Sequence, residues 1–173
     1  MLPGVPTAKF NSHYFPLHLA LVSVGENFLP MGNWTVIGKD PFRFLLAMGV
    51  GNHSLTLLKK HKEAAIHFFP WSEREWIVRA GHLSGRDVNK AQLLGRTLLL
   101  AQKLQHTRLV AGYDAVFELV VNRELSMLSR EFALFVMDCV ASDGSLEPQE
   151  RQPILFLSQE DFATLGERWE YSK

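Results

Sequence analysis

The sequence predicts a mainly β fold, a closed or partly closed antiparallel barrel carrying peripheral helices, built as one domain over residues 1–173. Two observations point there. Short apolar runs bounded by Gly, Asn and Pro come in clusters and do not alternate with helices of crossover length, as a doubly wound parallel sheet would require. A chain of 173 residues that is 47% hydrophobic is also long enough for one substantial core and short for two.

The elements follow from periodicity. Residues 19–24 and 42–50 read as buried strands, with 34–37 as a β-prone link between them. Ser54 is expected to cap a short helix in which Leu55, Leu57 and Leu58 precede Lys59, Lys60 and Lys62. Strand character returns at 64–69. Ser72 with Glu75 three residues on has the form of a capping box, opening a helix to about Gly81. A further helix is expected over 87–104. Residues 115–121, broken only by Glu118, and 132–140 then form a hairpin or meander, followed by a strand at 153–157 and a turn of helix at 159–165. Gly49 and Gly51 bracket one residue before a helix, but a third glycine and a following βαβ unit are missing, so a dinucleotide fingerprint is disfavoured.

Composition excludes several function classes. Lys plus Arg and Asp plus Glu number 18 each, with no basic run, so nucleic acid is not an expected partner. No apolar stretch is long enough to span a bilayer and no signal peptide is recognisable, so no membrane role is expected. The lone Cys139 excludes an internal disulfide and fits a reducing cytoplasm. No two histidines stand four apart, so no metal site is expected, and a Gly-x-Ser-x-Gly elbow is missing.

The polar residues with chemical promise lie at Asn52, His53 and Ser54. They open a helix whose first N–H groups lack intrahelical partners, which offers an anion several donors at once; a purely capping role for Ser54 is the alternative. The string NFLPMGNWTVIGKDP from Asn27 resembles the FMN-binding stretch of the flavin reductase-like split-barrel family, particularly its flavoredoxin-like branch. NHSLTLLKK from Asn52 resembles that family's phosphate turn, and SGRDVNK from Ser84 its SGRDVDKF signature. PILFL from Pro153 through Gly166 is similar to its closing strand, so the resemblance spans roughly residues 14–169.

The resemblance implies a Greek-key split β-barrel that dimerises and holds FMN near the subunit interface. Leu29, Pro30, Met31, Gly32, Asn33, Trp34 and Thr35 would line the isoalloxazine and ribityl chain, largely through backbone groups. Asn52, His53, Ser54 and Lys90 would surround the phosphate. NADH or NADPH is implied as co-substrate of an NAD(P)H:flavin reductase; the alternative is an electron carrier served by a redox partner protein. Arg130, Glu131 and Phe132 stand where many members carry Gly-Asp-His, a histidine associated with nicotinamide handling, and Met137 replaces a usual glycine. No catalytic side chain is assigned, since hydride chemistry on a flavin needs orientation and electrostatics from the protein.

Overall fold

The structure, a computed structural model, describes residues 16–125, 130–144, 151–158 and 160–166. Its main body is a seven-stranded antiparallel sheet. The chain lays down β1 (Leu17–His18), β2 (Ala20–Val24), β3 (Asn27–Met31), β4 (Trp34–Lys39) and β5 (Phe42–Gly49) before its first helix, α1 (His53–His61). Then come β6 (Glu63–Phe68), α2 (Arg74–Gly81), α3 (Lys90–Leu93), β7 (Leu98–Leu100) and β8 (Arg108–Val110). The long hairpin of β9 (Ala115–Leu125) and β10 (Phe132–Gly144) follows, then β11 (Leu155–Phe156) and β12 (Phe162–Ala163).

The strand order β3-β2-β6-β9-β10-β5-β4 forces closure. Strands β3 and β4 are the two edges of the sheet, yet only Gly32 and Asn33 link them in the chain. A flat sheet of this width would hold its edges roughly 28 Å apart at about 4.8 Å per strand, whereas so short a link spans about 10 Å. The sheet must therefore curl until its edges meet without a ladder between them. The Greek-key barrel expected from the sequence is thus present, open along the seam where the expected flavin-binding segment crosses.

Two cores hold it. Inside the curl, Val22, Phe44, Leu46, Met48, Ile66, Leu119, Phe135 and Met137 are fully buried, and Leu55 and Leu58 of α1 pack against them. Against the other face of β2, Leu19 and Leu21 join Phe28, Trp76, Ile77 and Ala80. Strand β2 is consequently buried on both faces and reads as an apolar run broken only by Ser23. Buried His67 fits this core as a neutral ring: Val110 N–H donates to Nε2 (3.1 Å), so Nδ1 carries the proton and donates to the Leu21 carbonyl (3.1 Å). Burial lowers its pKa to about 4.

Several local expectations change. Strand β3 goes unanticipated, because Pro30 and polar Asn27 obscure it; Pro30 is tolerated on an edge strand. The N-cap of α1 is Asn52, not Ser54, and makes no side-chain capping bond. Ser72 does not build a capping box either: a 3-10 turn covers Trp71–Glu73, and Glu73 is the N-cap of α2. The helix expected over 87–104 shrinks to α3, capped by the Asn89 side chain accepting from Gln92 N–H (3.0 Å), before the chain extends into β7. In place of the closing helix, the described part of 159–165 carries strand β12; Gln159 lies outside the described residues.

What overrides the helix at its far end is a buried carboxylate, and a second one holds the amides just beyond it. Glu118 accepts from the backbone N–H groups of Gln102 and Lys103 (2.7 Å each) and Leu104 (3.3 Å). Glu63 takes those of Gln105 (3.1 Å), His106 and Thr107 (2.7 Å). Successive amides that a helix would aim at its own carbonyls are drawn to two side chains from neighbouring strands.

Candidate functional site

The N-terminus of α1 opens onto a polar cleft of about 230 Å³, lined among others by Asn27, Leu29, Pro30, Asn52, His53, Ser54, Ser84, Gly85 and Lys90. The fold thus gathers every residue expected around a phosphate. No acidic residue occupies the first turn of α1, so its partial positive charge is not neutralised from within the helix. An adjoining outer groove of about 460 Å³ shares Asn27, His53, Gly85 and Lys90 and adds Glu26, Arg86 and Asp87.

The residues differ in how they are placed. Asn52 is exposed and His53 half-buried, whereas Ser54 is only 1% exposed and its Oγ accepts from Asn27 Nδ2 (2.8 Å). Asn27 Oδ1 is buried without a partner. Turning the amide over would let Ser54 donate to Oδ1 and would leave N–H donors unspent instead. In either orientation a polar atom of Asn27 is left without a hydrogen bond beneath Gly85 at the edge of this cleft. A Cβ on Gly85 would lie 2.2 Å from that Oδ1, so only glycine permits the Ser84 turn to close over Asn27.

Lys90 is 5% exposed, and its Nζ donates to the carbonyls of Phe28 (2.7 Å) and Ala80 (2.9 Å). It ties α3 to β3 and to the end of α2. An ammonium has three protons, so one remains beyond these bonds. Burial lowers its pKa to about 8. The structure therefore adds a structural role to the ligand role expected from the sequence.

A larger cavity of about 780 Å³ adjoins the polar cleft, with Pro30 and Gly81 lining both. Leu17, Leu19, Val78, Phe156 and Phe162 supply its apolar wall; Gly32, Asn33, His82 and Glu160 also border it. A shallower cleft of about 340 Å³ runs beside it along Gly32, Asn33, Trp34 and Thr35, and Phe132 closes one side. The residue standing at the histidine position therefore does lie beside the expected ring-binding segment.

Two of the expected ring contacts are core side chains. Met31 packs inside the barrel. The Trp34 indole donates to the His18 carbonyl (2.8 Å) and packs in tilted and edge contacts with His18, Phe44 and Phe68, although the residue also lines the shallow cleft. Leu29 also packs against the barrel core while lining the polar cleft. What β3 offers a ligand is its outer backbone edge, which pairs with no strand and on which Lys90 takes the Phe28 carbonyl. The sequence reading missed Asn27, Ser84 and Gly85 as site residues, although both strings that contain them were singled out.

No protein-family model matches the chain, and no curated protein matches it. Solved structures do. An FMN-binding protein from Thermus thermophilus with bound 1-cyclohex-2-enone is 22% identical over 99% of this chain and 98% of its own, with a TM-score of 0.84. A flavoredoxin from Methanosarcina acetivorans is 14% identical over 97% and 96%, with a TM-score of 0.81. An NADH:FAD oxidoreductase from Streptomyces globisporus is 16% identical over 94% and 100%, with a TM-score of 0.74. The chain has the fold of the flavin reductase-like split-barrel proteins.

Proposed function

We propose that the chain is an FMN-binding oxidoreductase of the NAD(P)H:flavin reductase type. The observation that carries this is the adjacency of two unlike spaces. A polar cleft with a helix N-terminus and a buried ammonium adjoins, across Pro30 and Gly81, a larger cavity with a partly apolar wall beside a strand edge. A flavin mononucleotide has the same polarity sequence, from dianionic phosphate to flat ring, and pockets of about 300–1,000 Å³ suit small cofactors. Asn52, His53, Ser54 and the third proton of Lys90 would hold the phosphate; β3 and Gly32 to Thr35 would flank the ring. When bound, FMN supplies hydride and electron transfer, and the protein supplies orientation and exclusion of water.

A second reading is favoured by Phe132, which lines the shallow cleft where the resemblance leads one to expect histidine. Here the protein is an electron carrier that receives electrons from a redox partner protein. The test is to load the purified protein with FMN, confirm flavin absorbance bands, and add NADH or NADPH without oxygen. Failure to retain FMN would overturn both readings. Bleaching on the order of 10 per second supports the reductase and makes the histidine dispensable; slow or absent bleaching overturns the reductase reading in favour of the carrier.

The same reading makes the protein a homodimer. Edge strand β4 presents Val36 and Ile37 to solvent at 44% and 47% exposure, next to the shallow cleft. Apolar residues on an edge strand suit a self-complementary two-fold contact. Light scattering of the FMN-loaded protein should give the mass of a dimer; a monomer would overturn this part of the reading.

A further inference from the structure

We propose that Thr107, held by Glu63, is a positioning residue for the polar cleft, acting through the β2–β3 turn; this rests on the reading of that cleft as a phosphate site. The turn consists of Gly25 and Glu26, with Gly25 at φ +63° and Asn27 immediately after it. Thr107 and Arg108 grip the turn from outside. Gly25 N–H donates to Thr107 Oγ1 (3.1 Å), and the Gly25 carbonyl accepts from Arg108 N–H (2.8 Å). Ser23 Oγ in turn donates to the Arg108 carbonyl (2.7 Å). Thr107 is itself fixed by Glu63, whose carboxylate takes its N–H. Its hydroxyl also reaches the Glu63 carbonyl (3.4 Å).

The chain of contacts ends at the site. Asn27 carries the unsatisfied Oδ1, bonds Ser54, and sits so close under Gly85 that no side chain fits between them. A shift of the turn by a fraction of an ångström moves Asn27 against Gly85 or away from Ser54, because a packed contact has no slack. Thr107 touches neither cleft. Its influence on an anion there passes through Gly25 and Asn27.

The test compares FMN with riboflavin, which has the same ring and ribityl chain but no phosphate. In Thr107→Val, which keeps the shape and removes the acceptor, FMN affinity is expected to fall about 2- to 10-fold, the range of one hydrogen bond, with riboflavin affinity unchanged. Thr107→Ser restores the oxygen and should restore the FMN to riboflavin ratio. If Thr107→Val fails to fold, Thr107→Ala, which also removes the acceptor, provides the same comparison. A ratio unchanged in the variant, or lost equally for both ligands, reduces Thr107 to a structural residue and overturns the proposal. A wild-type protein that binds FMN no better than riboflavin overturns the phosphate-site reading and the proposal with it.

Discussion

Replacing Glu118 with alanine is expected to cost about 3 kcal/mol or more of unfolding free energy, read from urea denaturation. Glu118 is 2% exposed and accepts from Gln102, Lys103 and Leu104. Hydrogen bonds to a charged acceptor contribute roughly 1.5–3 kcal/mol each, and the estimate stays near the value of one or two of them because the contributions are not additive. Glu118→Gln should not rescue it: one face of an amide is a donor, and here it would confront other donors. A loss below about 1 kcal/mol would show that water replaces the carboxylate. Glu63 adds a pH dependence of known sign. Burial raises its pKa, but the amides of Gln105, His106 and Thr107 outweigh that and hold it below the ordinary value. Its contribution is therefore complete at neutral pH and is lost as pH falls through the folded-state value.

Lys90→Met is expected to weaken FMN binding about 10- to 150-fold, corresponding to a charge-assisted bond of roughly 1.5–3 kcal/mol. Riboflavin binding should change little. The variant also strands the carbonyls of Phe28 and Ala80, so its melting temperature should fall, and the riboflavin control separates that loss from the phosphate contact. The sign with pH is fixed by the pKa of about 8. Above it the free protein sheds the Lys90 proton, whereas a phosphate beside Nζ favours the charged form. FMN affinity should thus decline as pH rises past about 8, with riboflavin affinity flat. Equal losses for both ligands, or none for either, would leave Lys90 as a tie between α3, β3 and α2 alone.

What the sequence by itself determined is what local pattern encodes. Apolar runs with turn residues at their ends placed β2, β5, β6 and the β9–β10 hairpin, and the helix opening beside Asn52 was recognisable from Ser54 and its leucines. Clustered strands excluded a parallel sheet. Strings around Asn27, Asn52 and Ser84 marked segments that the fold does bring to one cleft. The tertiary structure decided the rest, because the forces involved act between residues distant in sequence. Glu118 unmakes the end of a locally plausible helix by drawing its amides to itself, and Glu63 holds the three amides that follow, an outcome no local propensity contains. Lys90 is expected only as a phosphate ligand until the fold bonds its Nζ to carbonyls of β3 and α2, and Trp34 looks like a ring platform until its indole finds His18. Barrel closure belongs to the same class: that Gly32 and Asn33 must join opposite edges of one sheet follows only from which strands pair, and strand pairing is a long-range choice that buries both faces of β2 at once.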